Sequence, residues 1–208
     1  MKHDSAEAYG FLRREFPRVA ALFDATGEVP LPEPNHEPVK HALVRIVIGQ
    51  MLSTSAASSI KRRVGERVDA LGAESAYDLS DDDLRECGIS PQKTRTLRGI
   101  QSYMDQDPSF ERRWRSLPFA ELRREVSSLW GLSDWSASVL AIFHFGHPDV
   151  FPLTDGSLVR AIDRVQSLLL AGEPLEHDRA APYRSYLAVT LWHALDNGHL
   201  NASVFESA

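Results

Sequence analysis

Apolar residues along this chain recur at three- and four-residue intervals, and no stretch shows the sustained two-residue alternation of a half-buried strand. The spacing in AYGFLRREFPRVAALF predicts a first helix over roughly residues 6–24, interrupted at Pro17, whose ring removes a backbone donor and clashes with the preceding turn. The segment EVPLPEPNHEPV carries four prolines and reads as a linker. Beyond it a strongly apolar helix runs through HALVRIVIGQML, and SAASSIKRRVGERVDAL forms another, with Ser53 or Thr54 as its cap. Start signals then punctuate the chain. Ser80 precedes DDDLREC, whose carboxylates suit a helix amino terminus, and Gly88 stops that helix. Ser90-Pro91 opens QKTRTLRGIQSYM, and Pro118 opens FAELRREVSSLW. Gly131 ends that helix and Ser133 caps DWSASVLAIFHFG after only a few residues, so the two form a tight helical hairpin. LVRAIDRVQSLLL and PYRSYLAVTLWHALD complete an all-α chain of about ten helices. Residues 1–35 read as an amino-terminal helix with a proline-rich linker, and residues 36–208 as the main body.

Length and composition narrow the chemistry. With 208 residues, 43 % of them hydrophobic, the chain can bury a substantial core as one domain or two small lobes. A single cysteine, Cys87, excludes a disulfide framework, a four-cysteine zinc site and a cysteine-ligated iron–sulfur cluster. No run of about 18 apolar residues is present and the amino terminus is polar, so a cytoplasmic protein without membrane association is expected. The net charge of −6 argues weakly against a polyanionic partner, yet cations cluster at Lys61–Arg63 with Arg67, at Lys93–Arg98, at Arg112–Arg115 and at Arg123–Arg124. Such runs are commonly solvated helix faces.

Two features carry candidate chemistry. A hairpin that opens a helix points unpaired N–H groups and about half a positive charge outward, which suits a phosphate without any lysine. A plain helical corner would show the same spacing. Further on, PDVFPLTDG delivers one carboxylate, Asp155, after a helix apolar enough to be buried. In isolation an Asp after Thr reads as a helix cap.

The hairpin Leu129-Trp130-Gly131-Leu132-Ser133-Asp134-Trp135-Ser136-Ala137, followed by PDVFPLTD ending at Asp155, resembles the helix-hairpin-helix DNA glycosylase superfamily. The superfamily's hairpin reads L-P-G-[IV]-G-x-x-T-A, with an essential Asp about twenty residues on. Three further segments match in the family's order. IVIGQMLSTSAAS (46–58) is similar to I-x-x-G-Q-x-x-S-x-x-A-A, and CGISPQKTRTLRGI (87–100) to G-[IL]-S-x-x-K-x-x-x-L. PYRSYLAVTLW (182–192) resembles P-[YW]-R-S-x-A-x-x-x-L-W of the 3-methyladenine DNA glycosylase II branch. The resemblance covers roughly residues 40–195.

It implies two helical lobes flanking a DNA-binding cleft, no iron–sulfur cluster, and a base-excision-repair enzyme that flips alkylated purines out of double-stranded DNA and hydrolyses the N-glycosidic bond. Asp155 is then catalytic, since bond breaking builds positive charge on the sugar and a carboxylate stabilises it. Bifunctional members carry a lysine where this chain has Trp135, so a monofunctional hydrolase without lyase activity is implied. Trp135 becomes a wall of the base pocket, stacking on an electron-poor ring; its other reading is a core tryptophan. Met51 becomes the wedge that fills the hole left in the duplex, with Gln50 beside it; a buried core methionine is the alternative. Gly131 and Ser133 would bind phosphate through backbone amides, Lys93 would make a second phosphate contact, and carbonyls of Trp130 and Leu132 would hold a Na⁺ or K⁺ ion. No other cofactor and a monomer on damaged DNA are expected. Phe143, Phe145 and Trp192 read as core, and Arg184 as the partner of a buried carboxylate. Two departures stand out: Trp130 replaces the family's Pro, and Ser133 its Gly. A non-catalytic binder of DNA structure, or a glycosylase for mismatched or oxidised bases, would show the same motifs.

Overall fold

A computed structural model describes residues 5–201. They form eleven α-helices and three 3₁₀ turns, with no strand among the described residues. The helices are α1 (Ser5–Glu15), α2 (Ala20–Thr26), α3 (Val39–Gly49), α4 (Thr54–Leu71), α5 (Asp81–Glu86), α6 (Pro91–Gln106), α7 (Phe110–Ser116), α8 (Phe119–Ser128), α9 (Asp134–Phe143), α10 (Gly156–Leu169) and α11 (Arg184–Asp196). Pro17 does divide the first helical stretch, since a 3₁₀ turn, Pro17–Val19, separates α1 from α2. The caps follow the sequence signals: Ser53, Ser80 and Ser90 each accept a hydrogen bond from a backbone N–H in the first turn of the helix they open. None of the described helices is long and apolar enough to cross a membrane.

The chain divides into two compact units, one from the stretch up to Asn35 together with the stretch from Ala141 onward, the other His36–Leu140. The division falls inside α9. In the first unit α11 is the central helix, apolar around nearly its whole circumference and accordingly buried from Ser185 to Leu191. Leu158, Ala161 and Val165 of α10 pack in the same core, and so do Ala8, Tyr9 and Leu12 of α1 with Leu22 and Phe23 of α2. Residues 1–35 are therefore no appendage to this unit. The Tyr9 hydroxyl lies 2.6 Å from Thr190 Oγ1 in α11 and accepts from the Val29 N–H, which ties the proline-rich segment down as well.

The second unit is organised around α3, which packs against α4 and α6 through Leu43, Ile46, Val47 and Ile48. Its largest buried side chain, Trp114 of α7, needs a partner for its indole N–H. Glu125 of α8 supplies it at 2.7 Å and also accepts from Arg113. That guanidinium, with the Trp114 N–H, holds the Glu125 carboxyl below its ordinary pKa.

Candidate active site and DNA-binding hairpin

In the first unit, the catalytic candidate sits at the end of a short connection that α11 anchors. The chain leaves α9 and runs through His147–Val150, where Ser185 Oγ donates to the His147 carbonyl at 2.7 Å and accepts from the Val150 N–H at 2.9 Å. Arg184 grips Asp149 through two parallel hydrogen bonds of 2.7 and 2.9 Å, the ion pair read from sequence. Further along, the Asp155 N–H closes a turn onto the Pro152 carbonyl. Asp155 is indeed the N-cap of α10, with φ −81° and ψ 117°. Its Oδ1 accepts from the Leu158 N–H at 2.7 Å and from Trp192 Nε1 at 2.9 Å. Trp192 is half-buried and packs against the core of this unit, as read from sequence, while its indole N–H reaches the carboxylate. Phe143 is not core: it is 43 % exposed and lies against Trp192, ring centroids 5.5 Å apart. Periodicity marked it as apolar and could not tell a buried face from an exposed one. Phe145 is buried as expected.

The second unit holds the turn and hairpin. Met51 follows α3 with φ +56° and its side chain is fully exposed, so the core-methionine reading is excluded. A positive φ is uncommon for a residue with a Cβ and costs on the order of 1 kcal/mol or more, so it persists only where neighbours enforce it. The enforcing neighbours are Gln50 and Lys93. Gln50 Nε2 donates to the Gly131 carbonyl at 2.9 Å and to Ser136 Oγ at 3.2 Å. Lys93 Nζ donates to the carbonyls of Ile48 and Gln50 at 2.8 and 2.9 Å, at the carboxyl end of α3 where carbonyls lack helical partners. Partial burial lowers the Lys93 pKa. Both side chains were expected to face DNA, and both instead bind backbone carbonyls, Lys93 those just before Met51 and Gln50 that of Gly131 in the hairpin.

The hairpin is drawn against α6. Gly131 has φ +81°, and a Cβ there would come within 2.0 Å of Thr96 Oγ1, so only glycine fits. Its carbonyl is engaged by Gln50, between the Trp130 and Leu132 carbonyls expected to hold a cation. The Ser133 N–H, expected to meet phosphate, donates to Ser136 Oγ at 3.3 Å. Trp135 is half-buried in the first turn of α9, neither core nor fully exposed. Trp130 is 46 % exposed, with the Arg95 guanidinium 4.1 Å from its ring centroid. This pair was not foreseen, although both residues stand within the quoted motifs.

Most other cations of this unit are spent internally. Arg62 pairs with Glu66, Arg67 with Glu86, Arg98 with Asp81, Arg115 with Glu111 and Arg123 with Asp134. Arg63 donates to the Cys87 carbonyl.

No protein-family model matches the chain. DNA-3-methyladenine glycosylase 1 of Schizosaccharomyces pombe is 28 % identical over 159 residues, 72 % of this chain and 69 % of that protein. Among solved structures, the S. pombe 3-methyladenine DNA glycosylase Mag1, in complex with abasic DNA, superposes with a TM-score of 0.77 at 21 % identity, covering 91 % of this chain and 97 % of that one. The Bacillus halodurans DNA-3-methyladenine glycosidase superposes with a TM-score of 0.73 at 22 % identity, covering 97 % and 96 %. In sequence and in fold the likeness runs to the 3-methyladenine branch of the helix-hairpin-helix DNA glycosylases, and the chain has that superfamily's fold.

Proposed function

We propose that the chain is a monofunctional DNA glycosylase of base excision repair that removes alkylated purines, 3-methyladenine among them, from double-stranded DNA. The observation that carries this reading is Asp155: a carboxylate fixed through one oxygen by a helix N–H and by the indole N–H of Trp192, whose ring lies against the exposed ring of Phe143.

The chemistry needs little more. A purine alkylated on a ring nitrogen is already cationic, so it leaves with the electron pair of the glycosidic bond without prior protonation. Positive charge grows on the sugar as that bond lengthens, and the Asp155 carboxylate stabilises it. Water then bonds to the anomeric carbon and its proton passes to Asp155 or to solvent. Other glycoside hydrolases add a second carboxylate to protonate the leaving group, which this substrate class makes dispensable. Trp135 would stack on the extruded base. Met51, held outward at positive φ, would enter the gap, and Gln50 and Lys93 would act by holding that turn in place. The amides of Gly131 and Ser133 would lie along the phosphates, and a Na⁺ or K⁺ ion would sit at the carbonyls of Trp130 and Leu132. The protein would act as a monomer.

Incubation with duplex DNA carrying methylated purines, with free base quantified, tests the reading. Base release with strands left intact and no borohydride-trapped adduct is the expected result. Binding without release would make the chain a non-catalytic DNA-structure binder, and a trapped adduct would mean that a lysine acts as nucleophile.

A further inference from the structure

The hairpin's oddest residue is Trp130, a large aromatic where the family's pattern has proline, and it does not stand alone. Arg95 of α6 lies over its ring at 4.1 Å, inside the range of a cation–π contact. Arg95 is exposed, and among the described residues no carboxylate pairs with it, unlike most of the arginines around it. The stacking surface is rigidly placed, because Gly131, next to Trp130, packs on Thr96, next to Arg95. One face of the guanidinium is occupied by the indole, and its five N–H donors point along its edge, the geometry that suits a phosphate. Meanwhile the Ser133 amide is turned to Ser136 Oγ, which weakens the backbone grip that the hairpin would otherwise offer.

Granting the duplex-binding glycosylase above, we infer that this chain has moved part of its hairpin phosphate contact from backbone amides to a side chain: Arg95, held flat by Trp130, binds a phosphate of the DNA backbone. The shift resolves a conflict of charge. A chain of net charge −6 needs a fixed, unpaired cation where the duplex is gripped, and stacking on an indole supplies the fixing without a carboxylate that would cancel the charge.

The test is binding of a short fluorescent duplex bearing an abasic-site analogue, followed from about 50 to 200 mM salt, for wild type, Arg95→Gln, Trp130→Ala and Arg112→Gln, the last an exposed arginine on α7 as a matched change of charge. Loss of one phosphate contact lowers the slope of log K against log salt by about one and weakens binding roughly five- to tenfold near 0.1 M. Arg95→Gln is expected to show both effects, and Trp130→Ala to weaken binding while keeping most of the slope, since the cation remains but is no longer held. Arg112→Gln is expected to keep the wild-type slope. Base release from saturated enzyme serves as the folding control and is expected to be unchanged in Arg112→Gln. A wild-type slope in Arg95→Gln, or an equal loss in Arg112→Gln, overturns the inference and leaves the glycosylase reading standing. A wild-type chain that neither binds duplex nor releases base overturns both.

Discussion

The Met51 turn and the Asp155 turn each present one side chain that the proposed function uses, and they do so by opposite means. Around Met51 the polar side chains face inward: Gln50 and Lys93 bind three backbone carbonyls between them, and the residue they hold out is apolar and fully exposed. Around Asp155 the donors converge on the functional carboxylate itself, one N–H from the helix it caps and one from Trp192. A wedge acts by shape, so its neighbours need only fix the backbone. A carboxylate acts by charge, so its neighbours must fix the direction of its oxygens, which N–H donors do. The two turns therefore respond to substitution differently, one through stability and geometry, the other through rate.

The sharpest division between them comes from Asp155→Asn. It removes the charge and retains a cap, so base release is expected to fall by about a thousandfold or more with duplex binding kept. Release within tenfold of wild type would remove Asp155 from the catalytic role. Next in size is Lys93→Met, which keeps the aliphatic stem and leaves two carbonyls at the end of α3 unpaired. Denaturant unfolding should show a loss of about 1–2 kcal/mol, and unchanged stability would mean that Lys93 does not hold the Met51 turn. Met51→Gly runs the other way. Glycine relieves the strain at φ +56°, so stability is expected to rise by up to about 1 kcal/mol while base release falls, a trade that a merely structural methionine would not show. The smallest effect concerns pH. Burial lowers the pKa of His147, at the head of the connection to Asp155, from its ordinary 6.5. The unfolded chain then takes up the proton first, so stability is full above pH 6.5 and is lost as the pH falls through the lowered folded value. That loss should vanish from the unfolding profile of His147→Gln. A profile unchanged by the substitution would mean that another group titrates.

Met51 and Lys93, which stand in two of the quoted motifs, show how differently such residues can be read. The apolar spacing carried the helix through Met51, whereas α3 ends at Gly49 and leaves Met51 exposed just beyond it. Lys93 was placed on DNA for its charge, yet its ammonium lies against Ile48 and Gln50, more than forty residues earlier in the chain. No local pattern encodes which carbonyls a lysine will reach. Arg95 is the converse case: it lay in plain view within KTRTLR as one of several cations, and its distinction came only from the ring that the hairpin sets beneath it.

By itself the sequence determined the helices, because caps, prolines and glycines act within a few residues of where they stand, and Ser53, Ser80, Ser90 and Pro17 each set a boundary. It also determined that Asp155 opens a helix, since an N-cap is a contact across three residues. The tertiary structure alone decided what stands around that carboxylate and what holds the Met51 turn. Trp192 reaches Asp155 across 37 residues of chain and Gln50 reaches Gly131 across 81, and contacts of that range depend on how whole helices pack, which periodicity in one segment cannot specify.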